Sequence, residues 1–376
     1  MSAAAIDHSA KRPPLNLEHH FSSVAKRLIP SKMKEYYKYF QIPGIGNLAG
    51  GLPHSSLFPF DTLEAQAAKP ERWEPSPIPG DGAAAEKDKE RDVKAARHVT
   101  VPGTDADRDP LRRIDLATAL QYGTAEGYPP LRSFVRQFAR EHLHPDVPYL
   151  GGPEVILNCG STDGFAKTLQ LLIDTWDPAR DAAADRPGML CEVFVYSQVL
   201  TQVLPRGVQV VPVEMDEGGM SVSGLEGVLA GWDERNGKRP SFMYTVTMGH
   251  NPTSGVLSVE RRKELYAIAS KYDVIIVEDD PYWYLQYPSA VVEEARSRGS
   301  EVAPSPPAYK PAKSSGYPFL DSLTPSFLSI DTEGRVIRLD TFSKTVAPGC
   351  RLGWITAQPA IIERLVRYAS SSSPPP

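Results

Sequence analysis

Short apolar runs alternate with amphipathic segments from Val155 to Asp280, and this alternation limits the possible folds more than any other feature. Strands are predicted over residues 155–160, 189–197, 208–213, 241–248, 274–280 and 336–339, with a further strand that begins near Arg351. Helices are predicted over 161–176, 222–236 and 258–272, the last capped by Ser258. Apolar strands connected by helices form a mostly parallel sheet that is covered on both faces. The predicted fold class is therefore α/β.

Ligands of such sheets gather at the carboxyl ends of the strands. After the strand that begins at Val336 the chain reads DTFSKTVAPGCR, which places Thr341, Ser343 and Lys344 in a turn, with Arg351 seven residues after the lysine. Hydroxyl and guanidinium groups can hold a phosphate while an amine bonds an aldehyde. Taken alone, the motif is equally compatible with a solvated surface lysine.

Three further strand ends carry polar or aromatic residues. Ser161 and Thr162 follow Gly160 at a predicted helix start, which suits either a phosphate or a simple N-cap. Tyr196 can stack on a ligand ring or belong to the core. Asn251 precedes a proline, and its amide can form a turn or bond a phenolate oxygen.

The string VEDDPYWY places three consecutive acids, Glu278 to Asp280, and then Tyr282 after a buried strand. A carboxylate beside a pyridine nitrogen stabilises the protonated ring. A metal site is the alternative, but no histidine or further carboxylate cluster accompanies the acids in the sequence. We therefore expect no metal, and the strand ends together predict a pyridoxal phosphate pocket.

These strings resemble the fold-type-I pyridoxal phosphate-dependent aminotransferases of class I and II. The likeness is greatest to the fungal aromatic aminotransferase branch, which includes kynurenine and 2-aminoadipate aminotransferases. It is carried by NLAGGLPHSSLFPF, LQYGTAEGYPPLR, GSTDGF, HNPTSG, EDDPYWYLQ and RVIRLDTFSKTVAPGCRLGW. The resemblance implies the fold-type-I architecture, with a mostly parallel seven-stranded sheet flanked by helices.

The resemblance also implies a role for each site residue. Lys344 would be the Schiff-base lysine that performs the 1,3-proton transfer, and Asp279 would pair with the pyridine nitrogen. Tyr282 and Asn251 would bond the phenolic oxygen, and Tyr196 would stack on the ring. The expected phosphate ligands are Ser161, Thr162, Thr341, Ser343 and Arg351. The loop Gly50-Gly51-Leu52 would line the substrate side, and the protein would be a homodimer.

The predicted organisation has three parts. Residues 1–110 would hold an N-terminal arm, a small-domain segment and a flexible insertion. Residues 111–370 would form the large cofactor-binding domain with an insertion at 284–330, and residues 371–376 a truncated tail. By the resemblance, the C-terminal small domain would be missing or incomplete, and with it the arginine that binds the substrate carboxylate.

The expected reaction is transamination between an aromatic amino acid and a 2-oxo acid such as 2-oxoglutarate, with kynurenine and 2-aminoadipate as further donors. Three alternatives remain open: an inactive, truncated cofactor-binding paralogue or isoform, a regulatory protein, and a different pyridoxal phosphate reaction. A net charge of -5 gives no electrostatic case for nucleic acid or an anionic membrane. Three scattered cysteines and no apparent secretory signal favour the cytoplasm.

Overall fold

The structure is a computed structural model that describes residues 11–30, 39, 42, 44–46, 51–69, 96–286, 294–295, 297–300 and 313–371. The chain divides into a larger unit, residues 1–37 with 124–376, and a smaller unit, residues 38–123. These bounds differ from the predicted segments 1–110 and 111–370, whose roles as domains stay predictions. Most of the predicted flexible insertion and the residues from 372 onward lie outside the described ranges. No helix in the described residues is long and apolar enough to cross a membrane.

A seven-stranded mixed sheet forms the centre of the larger unit, in the order β3-β11-β10-β9-β8-β4-β5. Only β11 runs against its neighbours within this sheet, so the predicted α/β fold and mostly parallel sheet are confirmed. Its strands are β3 (Glu154–Asn158), β4 (Gly188–Glu192), β5 (Gln209–Val213), β8 (Phe242–Thr245), β9 (Ile275–Asp279), β10 (Val336–Thr341) and β11 (Gly353–Ala357). Two short strands, β6 (Met215–Asp216) and β7 (Gly219–Met220), form a separate pair.

The sheet is buried on both faces. Within β9, Ile275 and Val277 join the apolar cluster of one face, while Ile276 joins the cluster of the other. This follows from the two-residue period of a strand, which sends neighbouring side chains to opposite sides. The apolar run that predicted this strand is therefore what two covered faces require.

Helices cover the two faces. The first cluster includes residues of α4 (Ser161–Leu172), α5 (Ser197–Val203) and α9 (Pro359–Ser371), and the second those of α6 (Val222–Ala230) and α7 (Val259–Lys271). Ser258 caps α7 as predicted, since its side chain accepts a hydrogen bond from the Arg261 amide. The other helices of this unit are α1 (Ser23–Arg27), α3 (Pro129–Phe138) and α8 (Pro318–Asp321).

The N-terminal segment packs on the larger unit over its described residues 11–30. Leu17, Phe21 and Ala25 are buried in the same cluster as α4 and α9. The Ser22 amide donates to the Leu171 carbonyl, and the Ser23 amide donates to the Asp174 carboxylate. The predicted arm is thus attached to the sheet domain by both apolar and polar contacts.

The smaller unit contains an antiparallel pair, β1 (Thr62–Ala68) and β2 (Ala96–Pro102), whose register joins Thr62 to Pro102 and Ala68 to Ala96. A short helix, α2 (Leu116–Ala119), begins after Asp115, whose side chain accepts a hydrogen bond from the Thr118 amide. Gly51 and Leu52 also belong to this unit, and Gly51 has a φ of 61° that glycine adopts without strain.

Candidate active site

The carboxyl ends of β8, β9 and β10 border a cavity of about 310 Å³ within the larger unit. Every residue that we predicted to bind the cofactor lines this cavity: Ser161, Thr162, Tyr196, Asn251, Asp279, Tyr282, Thr341, Ser343, Lys344 and Arg351. Tyr244, Val246, Pro281 and Pro348 complete the lining. The structure thus brings together residues that are up to 190 positions apart in sequence, Ser161 and Arg351. Gly51 and Leu52 lie in the other unit, Gly50 lies outside the described residues, and their roles stay predictions.

Lys344 occupies the turn that follows β10. Its side chain is exposed to the cavity, and its Nζ lies 5.7 Å from the centroid of the Tyr282 ring. Tyr282 comes from the turn after β9, and Asn251 comes from the loop after β8. Because these strands are neighbours in the parallel sheet, the amine, the phenol and the amide meet at one edge.

Asp279 is the last residue of β9 and is 6% exposed. One carboxylate oxygen, Oδ2, accepts a hydrogen bond of 2.8 Å from the Tyr244 hydroxyl. The other, Oδ1, has no hydrogen-bond partner among the described residues. Burial raises the pKa of Asp279 to about 6, although the Tyr244 and Ser161 hydroxyls act in the opposite direction. A positive charge bound beside Oδ1 would favour the ionised form.

Tyr244 is a site residue that the sequence analysis did not single out. It lies in the middle of β8, where it appeared to be one more apolar strand residue. Burial, together with the Asp279 carboxylate, raises its pKa well above the usual value, so the hydroxyl stays protonated and donates. One feature of the sequence does indicate such a role: a tyrosine inside a buried strand needs a hydrogen-bond partner for its hydroxyl.

The other two acids of the EDD string do not line the cavity. Glu278 and Asp280 contact the Arg338 guanidinium at 2.9 and 3.2 Å, and Asp340 contacts it at 3.1 Å. All four side chains are fully buried. Consecutive acids in a strand alternate between faces, so only the middle one reaches the cavity, while the outer two pair with an arginine of β10.

The phosphate ligands that we predicted surround the start of α4. Gly160 precedes this helix with a φ of 95°, and no side chain caps the helix. The simple N-cap reading of Ser161 and Thr162 is therefore wrong. Ser161 Oγ is buried and makes no hydrogen bond of acceptable geometry among the described residues, although it lies close to the Asp279 carboxylate. The Arg351 Nη2 donates to the Cys159 carbonyl at 2.9 Å. The helix N-terminus, the hydroxyl and the guanidinium together favour an anion.

A side chain at position 160 would fill part of this space. A Cβ built on Gly160 would lie 3.2 Å from Arg351 Nη2 and 3.7 Å from Thr341 Oγ1. Thr341 Oγ1 also lies 2.8 Å from Ser343 Oγ and accepts a hydrogen bond from the Ser343 amide. Together with Asp279 Oδ1, which makes no hydrogen bond of acceptable geometry among the described residues, this cradle fits a phosphorylated pyridine at both ends.

The fold and the site define a member of the aminotransferase class I and II family, whose family model matches residues 108–374. The chain belongs to this family, which implies pyridoxal phosphate as its cofactor.

The names of some similar proteins specify their substrates. The chain is 34% identical to an L-tyrosine:2-oxoglutarate aminotransferase, atrD, of Tapinella panuoides, over 99% of this chain and 63% of the relative. It is 32% identical to the mitochondrial kynurenine/alpha-aminoadipate aminotransferase of Bos taurus, over 68% of this chain and 52% of the relative. The crystal structure of aminotransferase Aro8 from Candida albicans matches with a TM-score of 0.77 and 36% identity, covering 97% of this chain and 68% of that one. The chain thus spans less than two thirds of the length of both curated relatives.

Proposed function

We propose that this protein is a pyridoxal phosphate-dependent aminotransferase that transfers the amino group of an aromatic amino acid to a 2-oxo acid such as 2-oxoglutarate. The observation that carries the proposal is the single cavity lined by the Lys344 amine, the Asp279 carboxylate and the anion cradle around Gly160. The family and the names of the relatives support the same reaction class.

The chain's own residues divide the binding task. Asp279 Oδ1 would hold the protonated ring nitrogen, and Asn251 and Tyr282 would donate to the phenolic oxygen. Tyr196, which is half-buried before α5, would cover a face of the ring. Ser161, Thr162, Thr341, Ser343 and Arg351 would hold the phosphate. When bound, pyridoxal phosphate supplies an aldehyde that bonds to amines and a ring that withdraws electrons from the substrate carbon.

Lys344 would anchor the cofactor and then act as the general acid and base. Its Nζ is a single amine exposed to the cavity, and such a group can take the proton from the substrate α-carbon and return it elsewhere. Asp279 supports that step through charge, because its carboxylate keeps the ring nitrogen protonated. Tyr244 keeps the carboxylate oriented and ionised through its hydrogen bond.

Aromatic donors are proposed on the basis of the relatives whose names specify tyrosine, and kynurenine and 2-aminoadipate on the basis of the bovine relative. We further propose a homodimer in the cytoplasm. The three cysteines, Cys159, Cys191 and Cys350, are all unpaired, which supports a reducing compartment. Sedimentation and cell fractionation test these two points, and a mitochondrial fraction would instead match the name of the bovine relative.

The test of the function is a comparison of wild-type protein with Lys344→Ala. We expect wild type to carry the cofactor's visible absorbance, to retain it covalently after borohydride reduction, and to convert tyrosine with 2-oxoglutarate into glutamate. Lys344→Ala should bind the cofactor without covalent retention and without turnover. Lys271→Ala, which removes an exposed lysine paired with Glu226, is the matched control. Covalent retention in Lys344→Ala equal to wild type would refute the role of this lysine. Cofactor binding without any turnover in wild type would refute the proposed activity.

A further inference from the structure

His19, His20 and Asp273 converge on one point in the larger unit. His19 and His20 form the end of a short helical turn, Glu18–His20, and Asp273 lies two residues before β9. His19 Nε2 is 2.5 Å from Asp273 Oδ2, and His20 Nε2 is 3.1 Å from Asp273 Oδ1. The three ligand atoms all lie within 4.8 Å of one another. Two imidazole nitrogens and one carboxylate oxygen are therefore close enough together to share one ion.

The buried His20 imidazole also favours a ligand at this position. His20 is 9% exposed, and its Nε2 has no hydrogen-bond partner of acceptable geometry among the described residues, although Asp273 is close. Buried polar atoms of this kind are normally satisfied by a protein group, water or an ion. All three side chains also line a cavity of about 500 Å³, so a ligand has a route to the cluster.

We propose that His19, His20 and Asp273 bind one divalent transition-metal ion, with Zn²⁺ as the best match. Imidazole nitrogen and carboxylate oxygen are ordinary zinc ligands, and three protein ligands leave a fourth position for water from the cavity. Bonds of about 2.0–2.1 Å place tetrahedral ligand atoms roughly 3.3 Å apart. The two contacts of Asp273, at 2.5 and 3.1 Å, lie near that value.

The surroundings indicate a structural site. Arg335 approaches Asp273 Oδ1 at 3.5 Å, but its charge is offset by Glu333 at 2.6 Å. A metal here would link the N-terminal segment, whose Leu17 and Phe21 are buried, to the start of β9. Asp279 lies at the far end of β9, and the four steps from Ile275 to Asp279 span roughly 13 Å at about 3.3 Å per residue. The ion would thus stabilise the fold without touching the cofactor.

The experiment uses the full, tag-free chain loaded with pyridoxal phosphate and freed of metal by a chelator. Calorimetric titration with Zn²⁺ should show one equivalent bound with micromolar or tighter affinity, and the unfolding temperature should rise with Zn²⁺. Cobalt substitution should give the visible absorbance of a four-coordinate site. His19→Ala and Asp273→Asn should each weaken binding at least about tenfold and abolish the thermal shift.

Asn tolerates the left-handed backbone of position 273, where φ is 55°, so this variant keeps the fold. The matched control is His98→Ala, an exposed histidine with one carboxylate, Glu64, at 3.6 Å and no adjacent second histidine. It should bind Zn²⁺ as wild type does. Absence of stoichiometric binding to wild type would reduce the cluster to a histidine–aspartate ion pair and overturn the proposal. Unchanged binding in both variants, or equal loss in the control, would overturn it as well.

Discussion

The Tyr244 hydroxyl donates a hydrogen bond of 2.8 Å to the Asp279 carboxylate, and the two residues lie on adjacent parallel strands, β8 and β9. Tyr244 is 1% exposed, so water does not compete for this bond. Burial raises the pKa of Asp279, and a hydrogen bond to its ionised form lowers that pKa. The pair therefore sets the pH range in which Asp279 carries a charge for the ring nitrogen.

Tyr244→Phe should shift the pH dependence of cofactor affinity to higher pH. Wild-type Asp279 has a pKa of about 6 without cofactor, so cofactor affinity should fall as the pH drops through that value and the carboxylate is protonated. A bond to a charged group is worth about 1.5 kcal/mol. At about 1.4 kcal/mol per pKa unit, the loss of this bond should raise the pH at which cofactor affinity falls by roughly one unit. Affinity titrations from pH 5 to about 8 measure this shift.

The control for that experiment is Tyr266→Phe, which removes another buried tyrosine–aspartate hydrogen bond, to Asp331 at 2.9 Å, away from the cavity. It should lower the free energy of unfolding but leave the pH dependence of cofactor affinity unchanged. An unchanged pH dependence of cofactor affinity in Tyr244→Phe would mean that the hydroxyl does not alter the pKa of Asp279.

Asp279→Asn should separate stability from function. The folded pKa of Asp279 is raised from 3.8 to about 6, so the buried charge destabilises the cofactor-free protein at pH 7, which is above both values. Two pKa units correspond to at most about 3 kcal/mol. We expect the variant to unfold at equal or higher denaturant concentration without cofactor, and to lose turnover by about a hundredfold or more. The stability gain should vanish below pH 4 or so, where wild type is also protonated. Full turnover in this variant would contradict the role of the carboxylate.

Gly160→Ala should weaken phosphate binding. A Cβ would crowd Arg351 Nη2 at 3.2 Å, and the φ of 95° strains any residue with a side chain. Displacing one charge-assisted contact of about 1.4 kcal/mol lowers cofactor affinity roughly tenfold.

Gly227→Ala, within α6 and with no atom within 4 Å of the added Cβ, is the control. It should leave cofactor affinity unchanged and add about 0.5–1 kcal/mol of stability. Equal cofactor affinities in the two variants would show that the cradle does not need glycine.

Arg338→Met should destabilise the protein strongly. The guanidinium is fully buried among Glu278, Asp280 and Asp340. Its loss removes the counter-charge that contacts them directly, although the Arg262 charge also acts on Glu278 and Asp280. We expect a loss of about 3–5 kcal/mol in the free energy of unfolding at pH 7, measured by denaturant titration. Burial raises the pKa of Asp340 to about 6 and raises that of Glu278, and Arg338 opposes both shifts, so these two pKa values rise further in the variant. Part of the stability should therefore return as the pH falls and these groups are protonated.

Arg235→Met is the comparison for Arg338→Met, because Arg235 pairs with Asp233 at the exposed surface. It should have no measurable effect on unfolding, since water already solvates both charges. A loss of stability in Arg235→Met as large as that in Arg338→Met would contradict the argument from burial.

Several elements were predictable because their signal is local. The apolar run of β9 and the serine cap of α7 follow from period and hydrogen-bonding preference, and both are confirmed. Strand ends were less exact: the strand predicted over 189–197 ends at Glu192 and leaves Tyr196 four residues beyond it. Two of the three residues between them, Val193 and Phe194, are exposed, so their apolar character misled the prediction.

The sequence by itself determined the seven strands of the large sheet, the three helices α4, α6 and α7, and the polar residues at the strand ends, because these depend on periodicity and on residue chemistry within short windows. Only the tertiary structure decided that Glu278 and Asp280 pair with Arg338, that Tyr244 supports Asp279, and that His19, His20 and Asp273 meet. Those outcomes depend on strand order and side-chain direction between segments up to 254 residues apart, as for His19 and Asp273. No local pattern contains that information.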